Sequence, residues 1–222
     1  MNELIPHWKS LPEAQRHLWP QLRATADLGL VLYGGTAIAL RLGHRPSLDF
    51  DFFTEKPLDR EALKANFPFI AHSTIVQDRK NTFSALAPVD NDSVKVSFFG
   101  GIDFGRVGYP ERTVDGVAEV ASLLDLLATK LKTMQRIESK DYMDVAAILR
   151  AGISLEDGLS AAAALFGSDF QPSEAIRPLT FFQGGDLASL SQFHREVLIH
   201  AATHVRSIPL SVVTSRSLSS RS

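Results

Sequence analysis

Apolar and polar residues along this chain follow two periods, and the change between them falls near Gly100. Before it, short apolar runs are separated by turn-forming residues. Residues 12–27 carry Leu18, Leu22 and Ala26 at helical spacing, and Pro20 kinks that helix or divides it. A strand is expected over about residues 30–33, a helix over about 36–43 closed by Gly43, and a second strand over about 48–53. Asp59 can cap a helix over about 60–66 that Pro68 stops. Three strands are expected next, over about 69–76, 82–89 and 94–99, with hairpin turns at 78–81 and 90–92.

Gly100, Gly101, Gly105, Gly108 and Pro110 mark a flexible crossing. Beyond about Val117 the pattern is helical. Val120, Leu123, Leu124, Leu127, Leu131 and Met134 share one face of a helix expected over about 119–136, and Tyr142, Val145, Ala146 and Leu149 share one over about 140–150. Two more helices are expected over about 155–166 and 187–205. Residues 214–222 form a Ser/Arg run without core-forming residues and are expected to be disordered. The reading is an α/β domain over 1–115, a helical domain over 116–213 and a tail over 214–222.

Composition narrows the class. Hydrophobic residues make up 45% of the 222 and charged residues 22%, as in an ordinary globular chain. Net charge is −2, so no global basic field argues for non-specific nucleic-acid binding. The chain has no cysteine, which excludes disulfides and thiolate metal sites. Residues 1–19 lack the apolar core of a signal peptide, and no stretch approaches the roughly 20 apolar residues of a membrane span. A cytoplasmic protein without membrane contact is expected.

The chemistry-bearing residues cluster between Gly34 and Asp51. Asp49 and Asp51 are alternate residues of one strand and therefore project from the same face. Such a pair offers hard oxygen ligands to a divalent metal. An exposed strand whose polar face carries two acids is the plain alternative. The apolar neighbours Leu48, Phe50, Phe52 and Phe53 argue instead for a largely buried strand, where unpaired carboxylates would be costly. Gly34, Gly35 and Thr36 sit where a strand passes into a helix, so backbone N–H groups could approach a phosphate there. Arg45 could meet phosphate or serve a surface role, and Ser47 could orient the strand start. In the helical half, Lys130 and the pair Asp141 and Asp144, three residues apart on a helix face, could neutralise triphosphate charge and act on an acceptor. The plain alternative is a solvated lysine with acids complementing a helix dipole. The seven histidines show no zinc-type spacing, although His200 and His204 are i, i+4. Phe98, Phe99, Phe181 and Phe182 read as core rather than base-stacking platforms.

The run from Gly34 through Leu40, followed by His44-Arg45-Pro46-Ser47-Leu48-Asp49-Phe50-Asp51-Phe52-Phe53, resembles the first signature of the AbiEii/AbiGii-type nucleotidyltransferase toxins of abortive-infection toxin–antitoxin systems. Lys130, Arg136 and the Lys140-Asp141-x-x-Asp144 run are similar to that family's later lysine and aspartate motifs. The resemblance spans about residues 12–150. It implies an α/β (α+β) fold: a polymerase-β-like nucleotidyltransferase domain with a mixed sheet, followed by a helical C-terminal region. It further implies use of a nucleoside triphosphate (NTP) and Mg2+, transfer to RNA or tRNA ends, and an antitoxin partner. By the same resemblance Gly34, Gly35 and Thr36 contact phosphate, Asp49 and Asp51 the metal, Lys130 the triphosphate, and Asp141 or Asp144 the acceptor region.

Two departures stand out. Many polymerase-β-like enzymes carry a third carboxylate on a later strand, and here residues 94–99 hold Lys95 and Ser97 instead. The turn reads Gly-Gly-Thr where many nucleotidyltransferases have Gly-Ser. Three functions follow as expectations: a metal-dependent nucleotidyltransferase toxin; a nucleotide- or partner-binding module on a degenerate scaffold; or a transferase acting on a small molecule such as an antibiotic.

Overall fold

The computed structural model describes residues 3–220, which divide into two compact units. The first comprises residues 3–105, 109–122 and 215–220, and the second 106–108 and 123–214.

The first unit is built on an eight-stranded mixed sheet: β1 (Glu3–Leu4), β2 (Val31–Tyr33), β3 (Asp49–Phe53), β4 (Thr74–Arg79), β5 (Thr82–Val89), β6 (Asp92–Phe99), β7 (Glu111–Thr113) and β8 (Glu119–Val120). Their order across the sheet is β1-β7-β8-β2-β3-β6-β5-β4. Its helices are α1 (Glu13–Leu18), α2 (Ala24–Asp27), α3 (Gly34–Leu42) and α4 (Arg60–Asn66). Pro20 lies in a 3-10 turn dividing α1 from α2, as its missing N–H requires. Gly43 ends α3 at φ +63°, and the Asp59 carboxylate caps α4 by accepting from the Ala62 N–H at 3.0 Å.

One face of the sheet is a dry aromatic core. Phe50, Phe52 and Phe98 are fully buried, with Phe52 and Phe98 stacked at 5.8 Å, Trp19 against Phe50 at 5.7 Å and Phe67 against Phe98 at 5.1 Å. Alternation then sends Asp49, Asp51 and Phe53 to the opposite face.

The second unit is helical: α5 (Leu123–Thr133), α6 (Ser139–Arg150), α7 (Leu155–Phe166), α8 (Pro172–Ile176) and α9 (Gln192–His204). Leu126, Leu127, Tyr142, Val145, Ile148, Leu159 and Leu198 form its core. Helices α5 and α7 meet at Gly158, where a Cβ would fall 2.4 Å from Leu127 Cδ2. A small residue is required for that approach.

Several expectations change. The helix expected from 119 begins at Leu123, because Glu119 and Val120 pair with Arg112, Glu111, Val31 and Leu32 in the sheet. The strand expected from 69 begins at Thr74, since residues 68–72 form a 3-10 turn initiated by Pro68. Residues 109–122 group with the first unit, so the boundary expected at 115/116 lies inside a sheet-forming segment. The expected disordered tail is ordered over residues 215–220. Leu218 is fully buried, its N–H and the Ser217 hydroxyl donate to the Glu55 carboxylate at 3.1 and 3.0 Å, and the Ser220 N–H donates to Glu119 at 2.9 Å. Buried Glu119 and half-buried Glu55, satisfied by serine hydroxyls and backbone, explain how a sequence with one apolar residue can pack.

Candidate active site

The passage from β2 through α3 to β3 gathers the first group of expected residues. Gly34 opens α3 at φ +71°, a left-handed backbone that disfavours any Cβ. It is constrained a second time, because a Cβ there would lie 3.0 Å from Asp51 Oδ2. The turn therefore brings bare backbone against the carboxylate. Gly35 follows in the first turn of α3, whose N–H groups have no intrahelical acceptors. Thr36 is turned inward: it is buried, and its hydroxyl is bonded to Ser47 Oγ at 2.8 Å and to the Asp49 carbonyl. These contacts tie the helix start and Ser47 to the start of β3. Gln15 supports the same segment, donating to the Leu48 carbonyl at 2.6 Å. Arg45 is half-buried, and its guanidinium donates to the Pro46 carbonyl at 2.9 Å.

Asp49 is exposed and Asp51 half-buried. The argument from a costly buried strand does not apply to them: Phe50 and Phe52 take the buried positions, and the acids stand on the other face. The Asp49 carboxylate has no hydrogen-bond or ion-pair partner among the described residues. Register settles what stands beside them. Strand β6 runs parallel to β3 with Lys95 opposite Asp49 and Ser97 opposite Asp51. The position expected for a third carboxylate is thus a serine, whose buried Oγ has no hydrogen-bond partner among the described residues. Tyr33, opposite Asp51 on β2, stacks on Phe53 at 4.9 Å and walls the face farther along.

Among the described residues no group of three or more His, Cys, Asp or Glu side chains is arranged to hold a metal. Two carboxylates on one strand face still fit magnesium, which is commonly held by one or two carboxylates together with substrate phosphates and water. The donor set fits an ion delivered with a phosphate chain, not a cage closed by protein alone. The rings of His200 and His204 lie 4.0 Å apart on α9, tilted by 33°.

The second group lies in the helical unit. Lys130 on α5 meets both acids of α6, with Nζ 2.5 Å from Asp141 Oδ1 and 2.7 Å from Asp144 Oδ2. The side chains are 12%, 7% and 0% exposed respectively, so the lysine is not a solvated surface group. An ammonium has three N–H donors. Two are committed, and the third has no protein partner among the described residues.

The start of α6 is held from outside. Asp186 accepts from the Ser139 N–H at 2.6 Å and the Ser139 hydroxyl at 2.7 Å, and these bonds hold its carboxyl below the usual carboxylate range. Glu138 is lowered by its hydrogen bond to Lys140. Burial, reinforced by the neighbouring Asp141, pushes the Tyr142 phenol up. Phe181, expected in the core, is 57% exposed. Sequence spacing placed Tyr142 on a buried helix face, as found, but gave no sign of the Phe181 exposure.

A glycine turn set against an Asp-x-Asp strand, in a mixed sheet followed by helices, places the chain among nucleotidyltransferase-like proteins. The crystal structure of an antigenic nucleotidyltransferase-like protein from Paracoccidioides brasiliensis shares this fold with a TM-score of 0.51 at 14% identity, over 76% of this chain and 87% of that one. The chain belongs to the family described as nucleotidyl transferase AbiEii toxin, type IV toxin–antitoxin system, which its residues 21–196 match. It is also 33% identical over 122 residues to an uncharacterised protein of Aquifex aeolicus (strain VF5). That match covers 54% of this chain and 57% of the relative, so the chain spans little more than half the length of the curated protein it matches. No helix among the described residues is long and apolar enough to cross a membrane.

Proposed function

We propose that this chain is a metal-dependent nucleotidyltransferase toxin that moves a nucleotide from an NTP to an RNA acceptor, tRNA included, and is countered in the cytoplasm by an antitoxin. The observation that carries the reading is Gly34 against Asp51, at a helix start whose free N–H groups suit phosphate. Asp49 and Asp51 would hold Mg2+, which when bound neutralises charge on the phosphates. Gly34 and Gly35 let the phosphate chain approach the backbone, and Thr36 fixes the height of Asp49 by bonding its carbonyl. Arg45 lies on the segment between these elements and is assigned to phosphate.

Lys130 is assigned to the triphosphate through its third N–H. In the reaction the acceptor hydroxyl oxygen bonds to the α-phosphorus, the bond from that phosphorus to the bridging oxygen breaks, and pyrophosphate leaves with the electron pair. Asp141 and Asp144 could take the acceptor proton or orient Lys130. Their burial and their short contacts to Nζ favour orientation, in which case the acceptor proton passes to water.

Labelled NTP, Mg2+ and total RNA incubated with the protein should give labelled RNA. Asp51→Ala should lower that rate by about 10²–10³-fold, the usual loss when one charge-stabilising group leaves an active site. Label in a small molecule but not in RNA would move the acceptor assignment, and nucleotide binding without transfer to any acceptor would favour a catalytically degenerate module.

A further inference from the structure

We propose that a cavity in the helical unit is the subsite for an unpaired nucleotide of the acceptor RNA, with Phe181 as its stacking platform, Arg177 as its phosphate contact and Tyr142 as its polar reader. The proposal rests on the transfer reading above for its biological meaning, but its geometry is independent of Asp49 and Asp51.

The cavity measures about 520 Å³, within the range of small-ligand sites. Met134, Ile137, Pro178 and Phe181 give it apolar walls. It opens where α5 ends and α6 begins, the two elements that carry Lys130 and Asp141. Met134 lies four residues after Lys130, at the start of the 3-10 turn that follows α5, and Tyr142 directly follows Asp141.

Three side chains point to a nucleotide rather than an apolar ligand. Tyr142 is 99% buried, its ring is braced edge-on by Phe182 at 6.0 Å, and its hydroxyl has no hydrogen-bond partner among the described residues. A buried phenol normally finds a partner, and one that lines a cavity without one leaves a donor and an acceptor for a base edge. The pushed-up phenol stays protonated at neutral pH and so keeps both roles. Arg177 is exposed, and its guanidinium makes no ion pair among the described residues. Phe181 presents a ring that is 57% exposed where burial would be the default for so large an apolar group. An open aromatic ring beside an uncommitted arginine is the combination with which proteins hold unstacked RNA bases.

The test is anisotropy of a fluorescently labelled, short single-stranded oligoribonucleotide, run beside calorimetry of a non-hydrolysable NTP with Mg2+. Phe181→Ala should weaken oligonucleotide binding by about tenfold or more. Arg177→Gln should weaken it and flatten its salt dependence. Tyr142→Phe, which removes one oxygen from a packed ring, should cost a few-fold without lowering the melting temperature. NTP affinity should stay within twofold in all three. Wild-type RNA affinity in Phe181→Ala and Arg177→Gln would overturn the proposal, and so would loss of NTP binding in its place, which would give the cavity to the donor base. If the wild type binds no oligonucleotide the subsite falls, while labelled transfer to another acceptor can still stand. If the RNA arm succeeds and no transfer occurs, the subsite stands and the transfer reading falls.

Discussion

Asp49 and Asp51 stand at exposed and half-buried positions of β3 beside a glycine turn, whereas Asp141 and Asp144 are buried and share one lysine. Both pairs arise from short spacings, i, i+2 on a strand and i, i+3 on a helix, and each puts two carboxylates on one side. The environments then separate them. On β3 the partner strand offers Lys95 and Ser97, and the Asp49 carboxylate has no partner among the described residues. On α6 the lone pairs are met internally by Lys130. An acid with lone pairs to spare, as Asp49 has among the described residues, is suited to a ligand; a pair met by one lysine is suited to holding a neighbour in place.

The largest effect that could break this contrast is on stability. Lys130→Met removes the one cation that both buried carboxylates share and should destabilise the fold by about 3–5 kcal/mol. Adding Asp141→Asn and Asp144→Asn should recover most of the loss. Asp51→Ala, at a half-buried position of β3, should melt closer to wild type while losing transfer. If Lys130→Met and Asp51→Ala melted alike in calorimetry, the distinction between the two pairs would be wrong.

A smaller effect sharpens the picture of the strand pair. Gly34→Ala puts a Cβ 3.0 Å from Asp51 Oδ2 and strains a backbone at φ +71°. A cost of about 1–2 kcal/mol in stability is expected. NTP affinity should fall together with it, since the carboxylate must move. An unchanged Kd for NTP with Mg2+ would separate the glycine from the site.

The smallest concerns the cap on α6. Asp186 has its carboxyl lowered from 3.8 by the Ser139 bonds, so its contribution is complete above the ordinary carboxylate range and is lost as pH falls through the lower folded-state value. Asp186→Asn should therefore reduce the acid-side dependence of the melting temperature and leave its slope near neutral pH unchanged. A denaturation series across acidic pH reads this directly, and identical slopes in both proteins would show that the cap carries no such linkage.

Much of the frame was legible because it depends on local periods. The Gly43 stop, the Asp59 cap, the Pro20 break and the two hairpins follow from backbone rules that act within a few residues. The first signature was legible for the same reason, since Gly34 to Asp51 fit within one strand–helix–strand passage. Strand β8 was not, because Glu119 and Val120 form strand only through partners on β2 and β7. Phe181 could not be distinguished from core by composition, as its exposure is decided by where the chain leaves α8.

By itself the sequence determined the alternation that puts both aspartates on one strand face, the glycine turn before them, and the helical character of the second half. These are consequences of bond geometry and side-chain period. Only the tertiary structure decided that Ser97 stands opposite Asp51, that Lys130 is held by both acids of α6, that the Tyr142 hydroxyl has no hydrogen-bond partner among the described residues, and that Leu218 returns to the first unit. Each of these depends on which distant segments share a register, a helix face or a cavity, and residue spacing along the chain carries no such information.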